Sequence, residues 1–366
     1  MQDLSSVSVV LPSLDPDEKL VSVIDGLLGA GFTDIILVND GSKPENLHYF
    51  EDAGKQHPEI HVLHHKVNKG KGAALKNAFS WFLQNRPHAL GVVTVDGDNQ
   101  HHPEDTRACC LRMLETGHVI LGCRDFTQKD VPARSSFGNK TTSAIFKIFC
   151  GITLSDTQTG LRAIPAKFLK TFCEVKGDRF EYETNMLLAM KDHGIVFEEQ
   201  KIRTVYIEEN KSSHFRVVRD SWRIYRLILA HFFRYTISSL ISAVIDVGAF
   251  AVLSHITKSM LTGFALTAVP AVAARVISSL INFFMNKKLV FRTEVHTGKA
   301  LLRYYMLAVP MMIAQVLLTH GVYALFSIAP AAEFLRSLIY TIVMIVLFLV
   351  SYMIQQRWVF APGDAQ

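Results

Sequence analysis

Leu90-Gly91-Val92-Val93-Thr94-Val95-Asp96-Gly97-Asp98-Asn99-Gln100 is a short apolar run that ends abruptly in two carboxylates. Runs of this length, closed by turn-forming residues, read as buried strands. Upstream, residues 7–11 form another apolar run, ending at Pro12, and residues 35–38 a second, ending in Asn39-Asp40-Gly41-Ser42. Residues 60–63 read as one more strand. Between the strands, residues 17–28 and 72–83 carry helical spacing, the first stopped by Gly29 and Gly31. Strand-helix alternation predicts an α/β domain with a parallel sheet and helices on both faces. Ligands of such sheets bind beyond the carboxyl ends of the strands. Asp40, Asp96 and Asp98 are therefore expected to face one crevice.

Two carboxylates spaced i, i+2 at a strand end can project to one side of a turn. Hard oxygen ligands of this kind suit Mg²⁺ or Mn²⁺, which complete their shell with substrate phosphates. Asp-x-Asp is also a common solvated turn, and its place after a strand favours the chemical reading. Asn39-Asp40-Gly41-Ser42 can offer a carboxylate to a nucleoside or serve as a turn. Asn68-Lys69-Gly70-Lys71-Gly72 precedes a helix, where glycines allow close backbone approach and a helix start favours anions. Its spacing is not that of a Walker loop.

The 366 residues divide into two unlike halves beneath a mildly positive mean hydropathy of +0.21. Charges run throughout roughly the first 210 residues. Four long apolar stretches follow, at about 235–256, 264–284, 304–328 and 338–354, each near the ~20 residues that cross a bilayer core. Lys211, Arg216, Arg219, Arg223, Arg226 and Arg234 crowd the approach to the first, which suits an anionic leaflet. No nucleic-acid-binding module accompanies these charges, so no nucleic-acid partner is expected. Lys287, Lys288, Arg292, Lys299 and Arg303 fill the loop between the second and third stretches. By the positive-inside rule that loop, the first half and the C-terminus are cytoplasmic. The strand pattern of residues 7–11 follows the N-terminus with no basic-then-apolar leader before it, hence no cleaved signal peptide is expected. The five cysteines lack CxxC spacing and read as reduced, mostly buried thiols. Asn286-Lys-Lys-Leu-Val-Phe291 echoes Gln355-Gln-Arg-Trp-Val-Phe360, each closing a pair of spans, either by duplication or by chance. Asp246 and Arg275 stand inside the first two spans and either pair with each other or line a polar path for a sugar headgroup.

In order along the chain, Val38-Asn-Asp-Gly-Ser42, Asn68-Lys-Gly-Lys-Gly-Ala-Ala74, Asp96-Gly-Asp-Asn-Gln100, Gly122-Cys-Arg124 and Asp156-Thr-Gln-Thr-Gly-Leu-Arg162 resemble family 2 glycosyltransferases. The likeness is to the dolichyl-phosphate mannose synthase and bactoprenol glucosyltransferase branch and covers roughly residues 5–215. Arg275-Val-Ile-Ser-Ser-Leu-Ile-Asn282, followed by Asn286 to Phe291, resembles the GtrA-like membrane domain over about 232–361. The resemblance implies a Rossmann-like GT-A domain over 1–215, a basic juxtamembrane segment over 216–234, and an all-α four-span domain over 235–361. It implies inverting, metal-dependent transfer of a hexose from a nucleotide sugar, of GDP-mannose or UDP-glucose type, to a polyprenyl phosphate. Asp96, Asp98 and Gln100 would hold Mg²⁺ or Mn²⁺ and the diphosphate, and Asp40 the nucleoside. Pro12, Lys71 and Asp15 or Asp17 would complete the donor pocket, with Leu14-Asp15-Pro16 departing from the family's Tyr-Asn-Glu. Arg124 and Arg134 would meet the lipid phosphate, with Arg162 either joining them or tying its own loop. Glu181 and Glu183 either line the acceptor side or simply start a helix. The expected partners are the donor, the lipid acceptor and the bilayer, with a homo-oligomer open. A second reading has the membrane half translocating the glycolipid.

Overall fold

The computed structural model describes residues 4–126, 131, 133–203, 217–293 and 295–361. It divides into two units, residues 1–147 with 152–227, and residues 148–151 with 228–366.

The first unit is built on seven strands: β1 (Val7–Ser13), β2 (Ile35–Asn39), β3 (Ile60–His64), β4 (Gly91–Thr94), β5 (Val119–Arg124), β6 (Arg162–Pro165) and β7 (Phe197–Ile202). Its helices are α1 (Glu18–Gly29), α2 (Leu47–Gln56), α3 (Lys71–Asn85), α4 (Pro103–Thr116), α5 (Ala133–Ile145), α6 (Ala166–Glu174) and α7 (Glu181–Asp192). The strand order is β3-β2-β1-β4-β6-β5-β7. β1 to β4 pair in parallel, as the alternation predicts. The sheet is nevertheless mixed: β6 runs antiparallel to both β4 and β5. The all-parallel expectation fails there because no helix returns the chain to the far edge before β6. Residues 151–161 instead cross the carboxyl ends of the strands, and β6 enters from that side. This inserted strand brings the segment 156–160 over the end of β4.

Apolar residues on both strand faces drive the sheet inward. Val9, Val10, Leu11, Ile36, Leu37, Val92 and Val93 are all buried, as a strand covered on two sides requires. Leu20, Val23, Ile24 and Leu27 place one stripe of α1 on the core. Asp17 caps that helix by accepting from the Lys19 N–H at 2.9 Å. Pro12 lies in β1, where its missing N–H is tolerated because pairing with β4 ends at Val10. All five cysteines are free thiols.

The second unit contains four helices long and apolar enough to cross a membrane, over Ile228–Thr257, Ala265–Val290, Thr297–Leu325 and Glu333–Val359. They belong to α8 (Val217–Thr257), α9 (Ala265–Met285), α10 (Thr297–Leu325) and α11 (Glu333–Ile354). α9 and α11 each end in a π-helical turn, Asn286–Val290 and Gln355–Val359. The two echoing segments meet. Asn286 Nδ2 donates to Gln355 Oε1 at 3.1 Å, and Phe291 stacks on Phe360 with ring centroids 5.0 Å apart. Around Asn286 runs a closed seam of neutral polar groups. Ser238 donates to Asn286 Oδ1 at 2.6 Å, Asn286 to Asn282 Oδ1 at 3.0 Å, and Gln355 to the Tyr235 hydroxyl at 3.1 Å. Asn282 in turn donates to Ser242 at 3.1 Å and accepts from Tyr304 at 3.0 Å. In hydrocarbon an amide must find such partners within the bundle. Asp246 and Arg275 pair at 3.0 Å.

Of the basic approach to the first span, Lys211 and Arg216 lie outside the described residues, as do the side chains of Arg219 and Arg223. The segment Glu208 to Phe215 also lies outside them.

Candidate active site

β4 ends at Thr94, and the next residues turn outward across the carboxyl edge of the sheet. Asp96 meets Lys71, whose Nζ lies 2.7 Å from Asp96 Oδ1 and 3.0 Å from Glu183 Oε1. Lys71 opens α3, and Glu183 sits in the first turn of α7, so three separate elements converge on one ammonium. His101 Nε2 approaches Asp96 Oδ2 at 3.7 Å. Asp98 follows in the same turn and accepts from the Gln100 N–H at 3.1 Å. Asn99 between them has φ of 61°, the left-handed backbone that asparagine tolerates.

These neighbours set the charges. Burial acts to raise the Asp96 carboxyl, but Lys71 and His101 outweigh it and hold the group well below the usual carboxylate range. Burial likewise acts to lower Lys71, and Asp96 and Glu183 more than offset it, keeping the ammonium charged. Asp98 is pushed up, first by burial and then by the Asp96 charge beside it. Two carboxylates crowded into one turn, one of them reluctant to ionise, form an anionic site that a cation would relieve. The Nδ1 of buried His101 has no hydrogen-bond partner among the described residues. Among the described residues no cluster of three His, Cys, Asp or Glu side chains is arranged to enclose a metal. Mg²⁺ commonly needs only one or two carboxylates when phosphates supply the remaining oxygens. The donor set of Asp96 and Asp98 fits an ion of that kind.

The segment after α5 supports this turn. Thr94 Oγ1 donates to the Gly160 carbonyl at 2.6 Å, and a Cβ at Gly160 would collide with the Asp96 carboxylate. Only glycine lets this backbone pass so close. Buried Arg162 donates from Nη1 to the Glu183 carbonyl at 2.9 Å and from Nε to the Thr159 carbonyl at 3.2 Å. Of its two expected roles, it takes the one of tying its own loop, and it thereby fixes α7, which delivers Glu183 to Lys71.

Several residues expected to contact ligands also hold the fold together. Asp40 was assigned to a nucleoside, but its carboxylate is buried. Oδ1 takes His65 Nδ1 at 2.7 Å and the Lys69 N–H at 3.0 Å, and Oδ2 takes the Gly70 N–H at 2.7 Å. Asp40 thus folds the 68–70 loop, and the Lys69 and Gly70 amides hold this anion. Gly70 has φ of 106°, which only glycine adopts without strain. Arg124 was assigned to a lipid phosphate. Its Nε and Nη2 instead grip the buried Asp156 carboxylate at 2.8 and 3.2 Å. Asp15 accepts from the Lys43 N–H at 2.8 Å and donates its own N–H to Ser42 Oγ at 2.8 Å, pinning the β1 and β2 loops together. Arg134 lies in the first turn of α5, and its side chain lies outside the described residues.

The structure therefore joins Asp96, Asp98, Gln100 and Lys71, with Pro12 at the end of the adjacent strand. It adds His101, Asp156 and Gly160, to which the sequence reading gave no role, and it settles Glu183 beside Lys71. His101 directly follows Gln100, and Asp156 and Gly160 lie in a segment already singled out, so position was visible while role was not.

The comparisons agree with this geometry. The profile of glycosyl transferase family 2 matches residues 8–172, and that of the GtrA/DPMS transmembrane domain matches residues 234–360. An uncharacterized protein of Methanocaldococcus jannaschii is 27% identical over 232 residues, covering 62% of this chain and 93% of its own. A UDP-N-acetylglucosamine–dolichyl-phosphate N-acetylglucosaminyltransferase of Methanococcus voltae is 25% identical, covering 61% of this chain and 95% of its own. An undecaprenyl-phosphate mannosyltransferase of Micrococcus luteus is 25% identical, covering 52% and 80%. With a GT-A sheet, carboxylates at the end of β4 and, later in the chain, four apolar helices, the chain is a membrane protein and an enzyme: a family 2 glycosyltransferase joined to a GtrA/DPMS transmembrane domain.

Proposed function

We propose that the enzyme moves a hexose from a nucleotide sugar, of GDP-mannose or UDP-glucose type, to a polyprenyl phosphate, with inversion at the anomeric carbon. The observation that carries this is the anionic turn Asp96–Asp98 beside the permanently charged Lys71. Asp96 and Asp98 would hold Mg²⁺ or Mn²⁺, with Gln100 in the same turn. Such an ion neutralises charge on the departing diphosphate. Lys71 presents a second positive charge at the same edge, and Glu183 keeps it aimed.

A lipid phosphate is already ionised near neutral pH and attacks without a strong general base, whereas a sugar hydroxyl would need one. One of its oxygens bonds to the anomeric carbon as the bond from that carbon to the nucleoside diphosphate breaks. Bringing two anions together then becomes the main task, met by positive charge and positioning. Arg134 is our candidate for the lipid phosphate, and Arg124 holds the neighbouring loop through Asp156. The names of the Methanococcus voltae and Micrococcus luteus relatives, both lipid-phosphate transferases, support this acceptor. The basic residues between spans two and three support a cytoplasmic catalytic unit.

The test is transfer from a panel of radiolabelled nucleotide sugars by membranes holding the full chain, to polyprenyl phosphate and to the dephosphorylated polyprenol, with and without EDTA. Product is expected from the phosphate alone and only with metal. Equal transfer to the alcohol would remove the lipid-phosphate mechanism. Protease applied outside sealed cells is expected to spare residues 40–211, and cleavage there would reverse the topology.

A further inference from the structure

Asp246 on α8 and Arg275 on α9 pair at 3.0 Å, and Ser278 adds its hydroxyl to Asp246 Oδ1 at 2.8 Å. At about 1.5 Å per residue, Asp246 lies about 16 Å from the Thr257 end of its span and Arg275 about 15 Å from the Ala265 end of its own. That is half of a hydrocarbon core ~30 Å thick, so the pair sits near mid-depth. The two side chains are not equally covered. Asp246 is 20% exposed, whereas Arg275 is 76% exposed. Among the described residues no second acceptor meets the guanidinium. Exposed residues within a helical turn of the pair are small or apolar: Ala271 and Val272 before Arg275 and, on α8, Ala243 and Val247 beside Asp246. A guanidinium facing acyl chains at this depth is costly, and its own length does not carry it to the headgroups.

We propose that this face of α8 and α9 is a contact between two copies of the chain, in which Arg275 also engages the partner subunit's Asp246. The patch is self-complementary. A positive and a negative group lie side by side, so a twofold rotation sets each against its opposite, as an isologous interface requires. A lipid phosphate would suit Arg275 but would also meet the Asp246 carboxylate next to it. Ala243 and Ala271 leave room for close helix approach once the charges have matched. This contact is independent of the donor and acceptor assigned above.

The experiment reconstitutes the full-length protein in lipid nanodiscs and reads its mass for wild type, Arg275→Leu, and the exchanged pair Asp246→Arg/Arg275→Asp. Wild type is expected as a dimer, Arg275→Leu shifts the population at least tenfold toward monomer, and the exchange restores the dimer. A monomeric wild type overturns the proposal, as does a dimer indifferent to both changes. A wild-type monomer that retains a bound phospholipid also overturns it and assigns the face to a headgroup. Should Arg275→Leu fail to fold, disulfide cross-linking of Ala271→Cys in isolated membranes decides, with exposed Val346→Cys on α11 as the comparison. A cross-linked dimer from the first alone supports the contact, and none, or equal yield from both, ends it.

Discussion

The turn around Asp96 and the seam around Asn286 are both polar places set in apolar surroundings, and they treat charge in opposite ways. At Asp96 an ammonium, three carboxylates and an imidazole are gathered at the end of a sheet, still partly open, with Asp96 held ionised and Asp98 beside it pushed toward the neutral form. At Asn286 the groups are amides and hydroxyls, each bonded to the next, and Asn286 itself is fully buried. The first arrangement keeps electrostatic need in reserve for an ionic ligand. The second spends its hydrogen bonds internally and fixes how α8, α9 and α11 meet. Water near the strand ends permits the former, and hydrocarbon around the spans enforces the latter.

The comparison breaks most severely if Asp98 is removed. Asp98→Ala is expected to lower transfer roughly 1000-fold, because the anionic site loses one of its two carboxylates. Circular dichroism should remain that of the wild type. Near-normal product formation would mean that the Asp96 turn is merely structural.

Lys71→Met tests whether the converging charges act as one group. Asp96 and Glu183 would face each other without their shared cation, so the loss is expected in both activity, about 100-fold, and stability, about 2 kcal/mol. Thermal unfolding and single-turnover transfer measure the two separately. A variant that loses stability alone would reduce Lys71 to a strut.

The seam should respond in the reverse proportion. Asn286→Leu leaves Gln355, Ser238 and Asn282 each short of a partner and is expected to cost about 1–2 kcal/mol, with transfer changed by less than about threefold. Replacing Gln355 with Leu as well should cost less than the sum of the two single changes, since apolar groups replace both ends of one bond. Additive losses in a denaturation series would argue against a coupled seam.

The smallest effect is on pH. Asp98 titrates above the ordinary carboxylate value of 3.8 in the folded protein. The stability it contributes is therefore full below that value and is lost as pH rises through its raised one. In EDTA, the thermal midpoint of Asp98→Asn should lack this part of the decline seen in the wild type as pH rises above about 4. Identical profiles would show that burial and Asp96 do not act on Asp98 as described.

Much of this protein is determined by residue order alone. Val92-Val93 running into Asp96-Gly97-Asp98 defines a strand end with paired carboxylates, because apolar periodicity and turn formers act locally. Four stretches of bilayer length define the membrane half for the same reason, and two charged residues within them stand out. What only the tertiary structure decided is which charge meets which. Asp40 reads as a nucleoside contact, and only the fold shows that its carboxylate holds His65 and the 69–70 amides. Arg124 reads as an acceptor contact, and only the fold shows that its guanidinium pairs with Asp156, 32 residues on. Lys71 reads as a donor-pocket residue just ahead of a helix, and only the fold shows that α7 brings Glu183 against it. The antiparallel entry of β6 underlies much of this, since it carries Asp156 and Gly160 to the site. That direction depends on how an irregular segment crosses the sheet, a long-range closure that no local pattern records.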